Sequence, residues 1–459
     1  MAEFSTLSLA PALAQALGAL EYTTMTPVQE HALPPLLAGR DVTAQAKTGS
    51  GKTVAFGLAL VAALDAAASG VQALVLCPTR ELADQVGKEI RRLARFVPNV
   101  KLSVLCGGVP LRVQAASLAH APHVVVGTPG RIQEHLDAGN LDFSGVRTLV
   151  LDEADRMLDM GFADAIAGIV AQTPKTRQTL LFSATYPDEI RAASRAYQRE
   201  PVDVTVDPAA DDLAIAQRFV DVADPERKLD ALAGLLNQHK PESAMVFCNT
   251  RRDTQDVADA LDARGYCVLA LHGDLEQRDR DEVLVRFANR SATVLVATDV
   301  AARGLDVREL AAVVNFDVPS DADTYVHRIG RTGRAGAGGL ALTLVTPREA
   351  SRVATIVERL GSEPKREPAK PAPGKLKTGT LAPMVTLVVD GGRKDKLRPA
   401  DLLGALTGSA GLPGTAVGKI DLFDVRAYVA IERALADKAL ERLRSGKIKG
   451  RSFRVRKLV

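Results

Sequence analysis

Two short stretches of this chain carry residue types that do phosphate chemistry. Ala46, Lys47, Thr48, Gly49, Ser50, Gly51, Lys52 and Thr53 form a glycine-interrupted loop, and Asp152-Glu153-Ala154-Asp155 forms an acidic tip about 100 residues later. In the loop, glycines let backbone N–H groups turn inward around β- and γ-phosphates, Lys52 adds a point charge, and Thr53 offers a hydroxyl to Mg²⁺. At the tip, Asp152 is placed to hold Mg²⁺ and Glu153 to orient or deprotonate an attacking water. Alone, the loop is a chance Gly/Lys run and the tip an acidic helix N-terminus that suits the helix dipole. Together, each after a short apolar run, they imply binding and hydrolysis of a nucleoside triphosphate.

A third cluster, His327-Arg-Ile-Gly-Arg331-Thr-Gly-Arg334, packs one histidine and three arginines into eight residues. Such crowding costs self-repulsion unless an anion sits among the cations. Arg331 and Arg334 are therefore candidate arginine fingers for the charge on a γ-phosphate. Arg80, Arg131 and Arg280, near Thr79, Gly108, Thr128 and Gly130, recur at the ends of apolar runs without aromatic neighbours. That pattern suits gripping a nucleic-acid backbone without reading bases.

The elements that position these groups repeat. Leu74–Cys77, Val124–Val126, Leu149–Leu151 and Leu180–Phe182 are apolar throughout, as are Met245–Cys248, Val268–Leu271, Val294–Ala297 and Val313–Val314. Continuous apolar runs of this length predict strands buried on both faces of parallel sheets. Two consecutive doubly wound α/β domains follow, over residues 1–205 and 216–360, with ligands expected beyond the carboxyl ends of the strands. An Asp- and Ala-rich linker is expected near 200–217, and a flexible Pro/Lys-rich linker over 361–380. Residues 381–459 read strand–helix–strand–strand–helix–strand, a small α+β sandwich.

Net charge is +3, with 46% apolar and 25% charged residues. The charge is uneven: residues 381–459 hold 16 Lys+Arg against 8 Asp+Glu, whereas residues 1–360 are net −8. On charge alone, a nucleic-acid-binding tail and a solvated basic surface fit equally well. The cysteines Cys77, Cys106, Cys248 and Cys267 show no metal or disulfide spacing and are expected as reduced, mostly buried thiols. Leu7–Leu20 lacks the basic flank of a secretory signal, and Val54–Ala68 is too short to span a bilayer, so a cytoplasmic location is expected. Coiled-coil heptads do not appear, and the expectation is a monomer.

With these residues assembled, the chain resembles the DEAD-box RNA helicases over residues 1–350, and Asp152–Asp155 is the motif that names them. The resemblance implies two tandem RecA-like domains, ATP and Mg²⁺ as cofactors, and RNA as partner. Phe4, Tyr22 and Thr26-Pro-Val-Gln29 resemble the adenine-selecting motif, with Gln29 on the base edge. Thr79, Arg80, Gly108, Thr128, Arg131 and Arg280 match RNA-gripping positions, as do Thr298, Asp299 and Arg303. Ser183 and Thr185 match the motif that couples ATP state to unwinding, Asp306 a ribose contact, and His327, Arg331 and Arg334 the catalytic cations. Glu21 and Met25 depart from the usual pattern.

The tail is similar to the RRM-like C-terminal module of bacterial helicases of the DbpA type. That similarity implies large-subunit (23S) rRNA as target, in ribosome assembly. Ordinary RRM sheets stack bases on aromatics, but here only Phe423 and Tyr428 are on offer and Trp is absent. Contact through Lys394, Lys396, Arg398, Lys447, Lys449 and Arg451 is expected instead. The rival readings are a generalist RNA remodeller, a DNA-translocating helicase, and a non-catalytic RNA clamp, which would have no need of Glu153.

Overall fold

In this computed structural model the described residues are all except 1, 47–48, 187, 206–214, 303–309, 334–337, 371–380, 409–410 and 459. They form two compact units, one on either side of residues 206–214.

The first unit is built on strands β1 (Val42–Gln45), β2 (Ala73–Leu76), β3 (Leu102–Leu105), β4 (Val124–Gly127), β5 (Thr148–Asp152), β6 (Gln178–Ser183) and β7 (Val202–Thr205). All pair in parallel, in the order β3-β4-β2-β5-β6-β1-β7. Side chains alternate across the sheet, and both faces are buried. Ala73, Val75, Val150 and Phe182 join one core, with helices Pro11–Ala19, Pro27–Leu37, Lys52–Ala62 and Arg80–Leu93. Leu74, Leu76, Leu149, Leu151 and Leu181 join the opposite one, with helices Pro129–Asp137 and Ala163–Ala171. This is why the runs are apolar throughout. The strand order also separates the motifs: those expected to grip RNA follow β2, β3 and β4, while the phosphate loop, the acidic tip and the expected coupling turn follow β1, β5 and β6.

The second unit repeats the plan with β8 (Ile215–Asp221), β9 (Ala244–Phe247), β10 (Val268–Leu271), β11 (Val294–Ala297), β12 (Ala312–Asn315), β13 (Gly339–Val345) and β14 (Lys365–Pro368). The order is β10-β11-β9-β12-β13-β8-β14, again all parallel. Both ends of the segment read as the first linker are strands, β7 and β8. Part of the second linker is also ordered, since β14 pairs with β8 along the sheet edge. Its sequence, Lys-Arg-Glu-Pro, has no hydrophobic signal, and Pro368 is tolerated because an edge strand has one free side. The Arg218–Glu367 and Arg366–Asp221 ion pairs, each at 3.4 Å, cross the same seam.

The tail belongs to this second unit. Strands β15 (Met384–Val389), β16 (Val417–Leu422), β17 (Ala427–Glu432) and β18 (Val455–Leu458) form an antiparallel sheet in the order β16-β17-β15-β18. Helices Pro399–Thr407 and Ala436–Ser445 cover one face around Leu387, Val389, Leu402, Leu406, Val429 and Leu443. Val388, Tyr428 and Leu458 on the other face pack against Val285 of helix Gln277–Ala288, with Phe423 at their margin. Burying each such side chain contributes roughly 1.5–3 kcal/mol. Tyr428 is 3% exposed, and Phe423 meets it edge-on at 5.4 Å, so these rings are packing residues and not open stacking platforms.

Polar contacts set the register of this docking. The Thr386 hydroxyl donates to the Asn289 amide oxygen at 2.9 Å, the Asn289 amide nitrogen donates to the Ser291 hydroxyl at 2.8 Å, and Ser291 and Thr386 lie 2.7 Å apart, all three buried. Met384 N–H reaches Arg290 O at 3.3 Å, and Arg456 lies 3.9 Å from Glu282. Thr386→Val keeps the shape but leaves the Asn289 amide and Ser291 hydroxyl facing a methyl. Thermal unfolding of the full chain should show a loss of about 1–3 kcal/mol, with the 381–459 segment becoming the first part released by limited proteolysis.

Candidate active site and nucleic-acid interface

Register alone brings the nucleotide motifs together. Gln45 at the end of β1 pairs with Ser183 at the end of β6, and Asp152 at the end of β5 pairs with Phe182. Ala46 N–H then donates to Ser183 O at 2.9 Å, so the loop leaves its strand beside the Ser183-Ala184-Thr185 turn. Gly49 and Gly51 take φ of +87° and +93°, values that a side chain strains to reach. A Cβ on Gly51 would also lie 2.4 Å from the Gln29 amide. Beyond it, helix Lys52–Ala62 begins with no side-chain cap on its N-terminus, an arrangement that favours phosphate. Glu153 occupies the left-handed region at φ 53°, ψ 53°, between β5 and the next helix. A non-glycine residue held there stores strain, which is typical of functional turns.

Lys52 and Asp152 are buried 3.5 Å apart at 4% and 1% exposure. Beyond this ion pair, Lys52 Nζ and Asp152 Oδ1 have no hydrogen-bond partner among the described residues, and neither do the buried Ser50 and Ser183 hydroxyls. Burial pushes the Asp152 carboxyl up to about 6, against the pull of Lys52. Burial works to lower the Lys52 pKa, but Asp152, Glu153 and Asp155 outweigh it and hold the ammonium above its ordinary value. A buried, unsatisfied set of one cation, one carboxylate and hydroxyls fits a triphosphate with a hard cation. Asp152 and Thr53 are the residues suited to Mg²⁺.

Asp155 serves a different end. Its Oδ2 accepts from Ala184 N–H at 3.2 Å, Thr185 N–H at 3.0 Å and the Thr185 hydroxyl at 3.0 Å. The acidic tip is thereby tied to the Ser183–Thr185 turn. The Thr26–Gln29 segment latches the phosphate loop from the other side. Thr26 Oγ1 donates to Ser50 O at 2.7 Å, Gln29 Nε2 donates to Gly51 O at 3.0 Å, and Gln29 Oε1 accepts from Thr26 N–H at 2.9 Å. Gln29 was expected on a base edge, and its amide is committed in part to the loop backbone. Tyr22 donates through its hydroxyl to Glu89 at 3.0 Å, on helix Arg80–Leu93.

On the other half of the sheet, Thr79 caps helix Arg80–Leu93 by accepting from Leu82 N–H at 3.3 Å. Arg80 reaches Gly107 O at 3.5 Å, and Gly108 takes φ +81°. Thr128 leads into helix Pro129–Asp137, which carries Arg131. Arg131 is more occupied than its sequence context suggests. It donates to Val109 O at 2.6 Å and Gln114 Oε1 at 2.8 Å, and pairs with Glu134 at 2.8 Å.

In the second unit, Arg280 reaches Ala301 O at 3.4 Å, and Thr298 accepts from Ala301 N–H at 3.4 Å. Both oxygens of Asp299 accept from Arg328 at 2.7 Å, so the carboxylate carries an internal ion pair while its side chain stays 25% exposed. Arg328, 2% exposed, also donates to Asn249 at 2.9 Å, Asp317 O at 2.8 Å and Asn315 at 3.2 Å, above the Phe247 ring. It fastens the ends of β9, β11 and β12. The anion demanded by the arginine cluster is therefore in part the chain's own Asp299. Arg331 is 9% exposed and His327 ends helix Ala322–Ile329. Lys47, Thr48, Arg303, Asp306 and Arg334 lie outside the described residues.

The tail brings two distant basic segments side by side. Lys449 Nζ donates to Lys396 O at 2.7 Å and lies 3.9 Å from Asp401, joining the Lys394–Arg398 turn to the Lys447–Arg451 turn. Lys396 and Lys449 both have positive φ, 60° and 51°, in these turns. All six basic residues are exposed. Sequence reading missed Arg328, Gln114 and His135 as site residues, because buried polar side chains on amphipathic helices leave no local signal of their partners.

Comparison with known proteins agrees with this geometry. Residues 26–193 match the DEAD/DEAH box helicase family, 227–336 the helicase conserved C-terminal domain, and 386–457 the DbpA RNA binding domain. The chain is 54% identical over 459 residues to the ATP-dependent RNA helicase DbpA of Escherichia coli, covering 100% of both. It is 44% identical to the DEAD-box ATP-dependent RNA helicase CshA of Bacillus cereus, over 78% of this chain and 68% of that one. Among solved structures, Saccharomyces cerevisiae Dbp5 bound to RNA and ADP BeF3 superposes with a TM-score of 0.74 at 30% identity, over 80% of this chain and 96% of that one. The chain belongs to the DEAD-box ATP-dependent RNA helicases, of the type that ends in a DbpA RNA-binding domain.

Proposed function

We propose that this helicase locally opens short RNA duplexes on large-subunit (23S) rRNA during ribosome assembly, working as a single chain in the cytoplasm. The observation that carries the rRNA assignment is the tail's division of faces. The sheet face that would stack bases is buried against helix Gln277–Ala288, while the two bridged basic turns are exposed. Such a surface recognises a folded RNA by shape and phosphate positions. The full-length match to a helicase with the same tail supports this reading. Free Cys77, Cys106 and Cys248, all buried, suit a reducing compartment, and burial pushes the Cys106 thiol up to about 12.

In this reading Lys52 and the first N–H groups of helix Lys52–Ala62 bind the terminal phosphates. Thr53 and Asp152 would hold Mg²⁺, which when bound neutralises phosphate charge. Glu153, fixed by its strained turn, orients the attacking water and accepts its proton. Arg331 and Arg334 are assigned to the charge that builds on the γ-phosphate. Gln29 keeps its second N–H for a base acceptor, and Tyr22, held by Glu89, offers its ring face. Asp155, through Ala184 and Thr185, ties the acidic tip to the turn assigned to coupling. Arg80, Arg131, Arg280 and Arg303 grip one strand by its phosphates, and bending that strand releases its partner.

Two measurements check the proposal. Glu153→Gln should cut kcat for RNA-stimulated ATP hydrolysis by about 10²- to 10⁴-fold while ATP binding is retained. Full remodelling activity in that variant would favour a clamp. For the tail, Lys394, Lys447 and Arg451 are the residues to replace by Ala, because Lys449 also pins the two turns together. Truncating the tail is a poorer test, since it would bare Val285 and Asn289. The triple variant should lose the preference of its ATPase for large-subunit rRNA over small-subunit rRNA and poly(A). If the unaltered chain responds equally to all three RNAs, it is a generalist remodeller.

A further inference from the structure

We infer that Gln114 is a positioning residue that locks the RNA-gripping loops of the first unit into one arrangement, with His135 fixing Gln114 in turn. This rests on the reading of Arg131 as an RNA contact and adds the group that aims it. Gln114 lies on helix Leu111–Ser117 and is 7% exposed. Its amide nitrogen donates to Cys106 O at 3.0 Å. Its amide oxygen accepts from Arg131 Nη1 at 2.8 Å and faces His135 Nε2 at 3.0 Å. One side chain thus touches the residue before Gly107-Gly108 and the arginine in the first turn of helix Pro129–Asp137. The same Arg131 nitrogen donates to Val109 O at 2.6 Å, on the far side of the glycine pair.

The chemistry of the site specifies these residue types. An amide oxygen has two lone pairs and takes two donors here, while its NH₂ supplies the donor that Cys106 O needs. His135 is 0% exposed, and Asn140 Nδ2 faces its Nδ1 at 3.2 Å. With Nδ1 accepting from Asn140, the ring proton sits on Nε2 and points at Gln114. Burial, with Arg131 beside it and despite Glu134, holds His135 below the ordinary histidine range, so the ring stays neutral. The chain Asn140–His135–Gln114 therefore presents a lone pair to Arg131 from one fixed direction. Arg131 cannot swing away without leaving Gln114 and Val109 together, so the guanidinium and the Gly107–Val109 backbone move as one body.

The test uses the full chain and fluorescein-labelled oligo(A), measuring the gain in RNA affinity on adding AMP-PNP, alongside ATP KM and thermal unfolding. Gln114→Leu should reduce that affinity about tenfold with ATP KM unchanged. Gln114→Glu, which keeps the acceptor for Arg131 and His135 but sets an oxygen against Cys106 O, should recover only part of the loss. Arg131→Ala should weaken RNA binding, and Gln114→Leu added to it should cost little more, because the two act as a unit. If Arg131→Ala weakens binding and Gln114→Leu does not, the inference falls while the role of Arg131 stands. If Arg131→Ala has no effect, both fall. If Gln114→Leu melts early with a raised ATP KM and weakens RNA binding just as much in the Arg131→Ala background, Gln114 is a packing residue and the inference is wrong.

Discussion

Lys52 and Asp152 are the interaction on which the rest of the first unit is organised. A buried ammonium and carboxylate 3.5 Å apart, with no further hydrogen-bond partner for Nζ or Oδ1 among the described residues, form an arrangement that folding alone would not favour. The cost is tolerable because each charge partly offsets the other, and a highly charged ligand would satisfy both. Everything nearby serves to hold that deficit open. Gly51 is confined by Thr26 and Gln29, Glu153 sits in a left-handed turn, and Asp155 is turned away toward Ala184 and Thr185.

The order of strands turns this site into part of a larger device. Because β6 lies between β5 and β1, the Ser183–Thr185 turn is hydrogen-bonded to both nucleotide motifs, through Ala46 on one side and Asp155 on the other. The RNA half of the sheet has its own fastening in Gln114, and the second unit has an analogous one in Arg328. In all three places a buried polar group ties together loops that leave different strands. Hydrogen bonds of this kind restrict how far one loop can shift without the other.

Much of this was legible from the chain itself. The apolar runs became strands within a residue or so, since a strand buried on both faces leaves no room for polar side chains. The tail's two-helix, four-strand plan appeared as read. What escaped had a physical reason in each case. β14 carries no hydrophobic signal because it pairs at an edge, and β7 and β8 lie where Asp and Ala residues suggest a loop. The ion pair between Asp299 and Arg328, 29 residues later, leaves no trace in local spacing. Gln114 and His135 have meaning only through partners on other elements, which no local spacing encodes.

The buried sheet face of the tail also bears on how such proteins can be recombined. Val388, Tyr428 and Leu458 pack into the socket around Val285, and Thr386 bonds with Asn289 and Ser291. Fused to a foreign helicase core, residues 381–459 would bring an uncovered apolar patch with them and invite aggregation. The module and its seat on helix Gln277–Ala288 are therefore a single heritable part. A working chimera has to transplant both, and the drift of either surface in evolution is limited by the other.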